Sequence, residues 1–240
     1  MNLATYPSVS SGLSIYLSRR MGEKYPELAL QVHEFPYSRI AVSVTEGVTK
    51  VAVGAESAGT FDADYEMRSS DLTIEPLYVD HFYAVVSKDS PFAGRESVDV
   101  EELLGERLAI THCYPSFQEK SVGQVLRRFP RFSVFSNVEI AKRAVAQEGM
   151  LALIPGLALR DDPYEAQGLI CRVPVTGFDT ELTNYLLYDA HSGLGVVEHM
   201  LIRYIREFYQ ELKSGVPASD EVGKDDKGGD RGEEEEDTVD

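Results

Sequence analysis

Apolar positions along this chain switch repeatedly between a period of two and a period near 3.6, a pattern that predicts strands alternating with helices. Leu3 to Tyr6 reads as a short strand. Ser8, Ser10 and Ser11 follow as candidate helix caps, and Leu13, Tyr16, Leu17 and Met21 then share one helical face that stops before Pro26. Leu28, Leu30 and Val32 alternate as a second strand. Ser38 can cap a helix that turns Ile40, Ala41 and Val44 inward and closes at Gly47, ahead of a third strand over Val48 to Val53.

A long extended stretch runs from Leu72 through Val85 and Val86 and turns at Asp89, Ser90 and Pro91. Asp99 and Glu102 have the spacing of an acidic capping box for a short helix that ends near Gly105. The strand Leu108 to Ile110 comes next. A polar loop from Thr111 to Ser116 leads into a helix reaching about Arg128, and Phe132 to Phe135 forms a further strand. Ser136 to Glu139 reads as a second capping box, for a helix with Val138, Ala141 and Val145 inside and Gly149 at its stop. Met150 to Ile154 is continuously apolar, as a parallel strand covered on both faces should be. Strands over Leu169–Val173 and Leu182–Tyr188 and an amphipathic helix from Val197 to Leu212 complete the body. The predicted fold class is α/β, with two similar Rossmann-like halves joined by the extended stretch near Tyr83 and by a return near Tyr185. This predicts subdomain I over 1–83 and 188–213 and subdomain II over 84–187.

Composition narrows the function. Among 240 residues, 23 Lys and Arg stand against 40 Asp and Glu, a net charge of -17 that argues against broad contact with a phosphate backbone. The segment 214–240 carries eleven acidic and three basic side chains with hardly an apolar one, and reads as a disordered acidic tail, with an interaction tail as the alternative. Cys113 and Cys171 are far apart, which excludes a disulfide framework and a thiolate zinc site. No apolar run suggests a secretory leader or a membrane span. A cytoplasmic protein with no membrane partner is the expectation.

Catalytic motifs are scarce. The chain has no G-x-S-x-G elbow, P-loop or H-E-x-x-H, and Gly193 and Gly195 do not extend to a dinucleotide fingerprint. His112 beside Cys113 has no third group to orient a thiol nucleophile, and His33, His81, His191 and His199 lack ligand spacing. No catalytic residue, metal or cofactor is therefore expected. What does recur is hydroxyl and amide side chains where strands give way to helices: Ser8, Ser10, Ser11, Ser38, Thr111, Ser136 and Asn137. Helix starts offer unpaired N–H groups and positive potential, so such residues can receive a small anion such as a carboxylate at the carboxyl edge of a parallel sheet. Each taken singly can equally be the cap of its own helix.

Several segments carry a family resemblance in their order and spacing: Lys24-Tyr25-Pro26-Glu27-Leu28, Glu46-Gly47, Glu75-Pro76-Leu77, Asp89-Ser90-Pro91-Phe92-Ala93, and Glu148 through Pro155. The fourth is similar to a D-H-P-L-A segment and the last to A-G-x-G-I-x-x-L-P. From Leu3 to Leu212 the chain resembles the effector-binding domain of LysR-type transcriptional regulators, whose fold is like that of type 2 periplasmic binding proteins. Lys50, where the family usually has an acidic residue, and Leu151, where it has a second glycine, depart from the pattern.

The resemblance implies two subdomains with a ligand cleft between them and the two crossover strands as a hinge. It implies a small-molecule effector, an anion among the candidates, contacted by Ser8, Ser10, Ser11, Ser38, Thr111, His112, Ser136 and Asn137. It also implies a homodimer, the first helix of one subunit lying near the 116–128 helix of the other. DNA would be met only through a helix-turn-helix domain that this chain does not contain. A transporter's solute-binding protein, which needs an export signal or lipid anchor, and a prephenate-dehydratase-like enzyme, which needs a fixed acid or base in the cleft, are the alternatives.

Overall fold

The computed structural model describes residues 1–57, 72–111, 122–191 and 193–215. The first lobe opens with β1 (Asn2–Thr5), α1 (Pro7–Lys24), β2 (Gln31–Glu34), α2 (Tyr37–Thr45) and β3 (Val51–Ser57). The long β4 (Thr73–Ser87) follows, then β5 (Val98–Asp99), α3 (Val100–Leu103), β6 (Leu108–Thr111), α4 (Val122–Leu126), β7 (Phe132–Phe135), α5 (Val138–Glu148) and β8 (Leu151–Pro155). A 3-10 turn (Gly156–Leu159), α6 (Pro163–Ala166), β9 (Ile170–Thr176), β10 (Glu181–Tyr188) and α7 (Val196–Ser214) complete the described chain.

The strands form one path in the order β2-β1-β3-β10-β4-β8-β6-β7, with β9 pairing β4 and β5 at its side. β1 pairs in parallel with β2 and β3, and β6 with β7 and β8. Two parallel layers are thus joined through antiparallel strands, and β4 belongs to both. Up to His81 it pairs with β10; from Phe82 onward it pairs with β8 and β9. The return is the short segment between Thr176 and Glu181, where the Thr180 carbonyl accepts from the Phe82 N–H at 2.9 Å. All of β10 pairs with β3 and the first half of β4. Residues 181–187 therefore sit on the first sheet, although the sequence placed them in the second subdomain. Their alternating pattern fits either sheet equally well.

The core follows the predicted faces. Leu13, Tyr16, Leu17 and Met21 of α1 are buried, as are Met200, Leu201, Tyr204, Ile205 and Phe208 of α7. The second lobe adds its own cluster around Val85, Ala141, Val145, Ile154 and Leu159. Asp99 and Glu102 form the predicted capping box: Glu101 N–H donates to Asp99 at 2.9 Å, and Asp99 N–H donates to Glu102 at 3.2 Å.

The other caps fall elsewhere. Tyr6 is the N-cap of α1 and Pro7 its first residue, so Ser8, Ser10 and Ser11 stand inside the first turns. Ser38 stands likewise one residue into α2, behind Tyr37. At α5 the cap is Asn137, whose side chain accepts from Ile140 N–H at 3.0 Å, one residue later than the box predicted at Ser136. Gly149 closes that helix at φ 62°, a left-handed position that costs glycine little.

Candidate functional site

Parallel pairing decides which predicted residues share an edge. Thr5 pairs with Glu34 and Thr111 with Phe135, so the carboxyl ends of β1 and β2 lie together, as do those of β6 and β7. Ser8, Ser10, Ser11 and Ser38 follow the first edge; Ser136 and Asn137 follow the second, and Thr111 ends β6. The two edges belong to different lobes, and they approach each other where α1, rising from β1, packs on the 3-10 turn that leaves β8. Ser8, Ser10 and Thr111 are buried, Asn137 is half-buried, and Ser11, Ser38 and Ser136 are exposed. His112, Cys113 and the start of the helix predicted after them lie outside the described residues, as does the tail beyond Gly215.

Several residues at this junction gave no signal among the hydroxyl-bearing candidates. Asp80, on β4 one residue before its pairing changes lobes, is nearly fully buried. Its carboxylate accepts from His81 N–H at 2.8 Å, from Leu157 N–H at 2.9 Å and from Gly156 N–H. A first-lobe strand residue thereby holds the turn of the second lobe. A Cβ at Gly156 would lie 2.7 Å from Asp80 Oδ1, so the close approach requires glycine there. Burial pushes the Asp80 carboxyl above the usual carboxylate range, while the three N–H donors pull the other way.

The second unforeseen group is Asn184, fully buried in β10. Its Oδ1 accepts from the Tyr6 hydroxyl and, at 3.1 Å, from the Tyr209 hydroxyl, while Nδ2 donates to the Leu182 carbonyl at 3.2 Å. The ladder shifts register at Asn184 and Tyr185. Burial, and after it the charge of Asp80, keeps Tyr209 protonated well above the ordinary tyrosine range. The Tyr6 ring lies 4.9 Å from that of Tyr37, so this network ties the starts of α1 and α2 to the crossover strand. Beside it, the Thr5 hydroxyl at the end of β1 is buried and finds no partner among the described residues.

A third group lies in the second lobe. Lys142 of α5, only 3% exposed at its side chain, is ion-paired with the fully buried Asp162 carboxylate, lies 2.7 Å from Glu139 and donates to the Ala158 carbonyl at 3.2 Å. Asp162 also caps α6 through Tyr164 N–H and Glu165 N–H, at 2.9 and 3.0 Å. Between this group and α1 opens a cavity of about 410 Å³, lined from the first lobe by Val9, Ser11, Gly12, Ile15, Tyr16, Arg19 and Phe208, and from the second by Glu139, Lys142, Leu157, Ala158 and residues 160–163.

Among the described residues no group of His, Cys, Asp and Glu could hold a metal ion. Cys171 is half-buried and in no disulfide, its thiol pushed up mainly by burial. Among the described residues no helix is long and apolar enough to cross a membrane.

Two lobes that share a crossover strand, with parallel sheet edges meeting across a junction, define the two-lobed α/β regulatory-domain fold. The chain belongs to the LysR substrate binding domain family, whose model matches residues 1–210. Among solved structures it is similar to the reduced regulatory domain of OxyR from Pseudomonas aeruginosa, at TM-score 0.66 and 20% identity over 87% of this chain and 95% of that one. The Synechocystis PCC6803 CcmR regulatory domain in complex with 2-PG is similar at TM-score 0.66 and 16% identity, over 88% and 98% of the two chains. The MetR regulatory domain of N. meningitidis gives TM-score 0.64 and 14% identity, over 87% and 92%. Among curated proteins, the HTH-type transcriptional regulator CitR of Bacillus subtilis (strain 168) is 22% identical over 176 residues. That match takes in 72% of this chain and 57% of CitR, so the chain spans little more than half the length of this relative.

Proposed function

We propose that this chain is the effector-sensing part of a LysR-type transcriptional regulator that works in the cytoplasm. A small metabolite, anions included, binds where the strand edges of the two lobes meet, contacted by Ser8, Ser10, Ser11, Ser38, Thr111, His112, Ser136 and Asn137. Residues up to His81, together with β10 and α7, act as one lobe and residues 82–176 as the other, and ligand binding turns one against the other. The domain works as a homodimer without enzymatic activity, and DNA is contacted by a helix-turn-helix domain outside this chain. The carrying observation is the seat of α1 on the turn after β8, which brings a carboxyl edge from each lobe to one junction. The CcmR structure, solved with 2-PG bound, supports a small ligand for this fold.

Thermal-shift screening against a metabolite panel tests the proposal. A ligand at a hundred times its Kd should add about 2.7 kcal/mol, a rise of roughly 5–10 °C for a domain of this size. The rise should shrink in both Ser38→Ala and Ser136→Ala, exposed positions on opposite lobes. A panel without any stabilising compound, or a shift indifferent to both substitutions, would overturn it.

A further inference from the structure

The cavity between α1 and the turn after β8 lies on the flank of the junction, and of the eight residues assigned to the strand-edge site only Ser11 reaches it. Its volume of about 410 Å³ falls within the range of small-molecule pockets. Val9, Ile15, Tyr16 and Phe208 line it from the first lobe, and Leu157 and Pro163 from the second. Ile15 is 70% exposed, a large apolar side chain left in water beside an open space.

Gly12 enlarges that space. It stands inside α1, where glycine is a poor helix former, and a Cβ there would meet nothing closer than the Phe208 ring at 3.8 Å, an ordinary contact. The fold therefore has room for a side chain at this position. Without one, the helix itself and the Phe208 ring both line the cavity.

The charged groups of the lining are already engaged within the protein. Lys142 meets the Asp162 and Glu139 carboxylates and the Ala158 carbonyl, which takes up all three of its N–H donors. Asp162 accepts in addition from the Tyr164 and Glu165 N–H groups. Arg160 Nε lies 3.6 Å from Asp161, and the Arg19 guanidinium lies 6.0 Å from the centre of the Tyr16 ring. The Tyr16 hydroxyl donates to Glu211 at 2.8 Å. Three cations and three carboxylates balance, so the lining has no net charge to draw an ion in. An ionised ligand would give up its hydration here without gaining a partner, whereas an uncharged one buries apolar surface at little cost.

From this arrangement we infer that the flank cavity is a second ligand site, for an uncharged aromatic molecule that touches both lobes. The ring fills the space that Gly12 leaves, against Val9, Ile15 and Phe208, and meets Leu157 and Pro163 on the opposite wall. The ionic groups hold their own partners throughout and act by excluding charged competitors. The site does not depend on the strand-edge proposal and would stand if that proposal failed.

Calorimetric titration of the full chain with benzyl alcohol tests it, with benzoate and benzylamine, the anion and the cation on the same skeleton, as matched controls. The expected result is saturable binding with a Kd of about 1 mM or tighter, roughly tenfold tighter than either ion. Gly12→Leu, which occupies the cavity with a side chain of the protein, should weaken benzyl alcohol about tenfold, and Ile15→Ser, which removes part of the apolar wall, about threefold. Ser38→Ala and Ser136→Ala, at the strand edges, should leave it unchanged. Ile15→Ser, at an exposed position, carries the test alone if the glycine variant does not fold. Absence of saturable binding up to about 10 mM benzyl alcohol, equal or tighter binding of either ion, or undiminished affinity in either folded variant overturns the inference. So does an affinity that falls as protein concentration rises, which would mean that a second copy of the chain fills the cavity.

Discussion

Replacing Asn184 with leucine keeps the branched outline of the side chain and removes all three of the hydrogen bonds described for it. The Tyr6 and Tyr209 hydroxyls lose a shared acceptor, and the Leu182 carbonyl loses a donor. Each buried hydroxyl deprived of its partner costs about 1–3 kcal/mol. Burying a leucine returns about 1.5–3 kcal/mol of apolar transfer energy. The net expectation is a loss of about 2–4 kcal/mol, or a midpoint lower by roughly 5–15 °C. A double-mutant cycle with Tyr6→Phe isolates the shared acceptor. In the Asn184→Leu background the phenol has already lost this acceptor, so Tyr6→Phe should cost about 1 kcal/mol less there than in the native background. Urea denaturation of the four proteins, followed by far-UV circular dichroism, measures the coupling, expected at about 1 kcal/mol or more. A leucine variant as stable as the native protein, or additivity within about 0.3 kcal/mol, would refute the assignment of Asn184 as the tie between α1, α7 and β10.

Two further substitutions probe the charged groups at the junction. The Asp80 carboxyl is raised in the folded state, so it contributes stability that is fully present below the ordinary carboxyl pKa and lost as pH rises through its folded value. The midpoint of Asp80→Asn minus that of the native protein should therefore become more favourable as pH rises from the ordinary carboxyl range toward neutrality, and a flat difference in thermal scans across that window would contradict the burial argument. Lys142→Met leaves the buried Asp162 carboxylate without its cation and should cost about 3–5 kcal/mol, with part recovered in Lys142→Met/Asp162→Asn; chemical denaturation that finds the single variant no weaker than the double would sink this account.

Side-chain periodicity reveals which face of an element is buried and says nothing about which neighbour covers it. The buried faces of α1 and α7, the Asp99 capping box and the glycine stop of α5 were accordingly legible. The lobe to which β10 belongs was not, because the alternation of Leu182, Asn184 and Leu186 is the same on either sheet. That alternation does place an amide among buried leucines, a usable sign of a polar network. Lys142 carried a similar sign, since it follows directly on Ala141 and lies three residues before Val145 on the helix, all of them buried. Asp80 carried none: a carboxylate in an extended run looks the same whether it meets water or the backbone N–H groups of a turn 76 and 77 residues away. Among the serines, the strand-to-helix junctions were found, but Pro7 and Tyr37 start their helices ahead of the expected caps.

Because β4 runs unbroken through both lobes, its ladders limit the ways in which the lobes can move. Pulling them apart or sliding one along the other would break pairing with β10 on one side of His81 or with β8 and β9 on the other. Rotation about the strand's own long axis preserves both sets of bonds, so the strand serves as an axle. The Asp80 carboxylate, gripping the turn after β8 from a point beside that axis, acts as a stop that limits the swing.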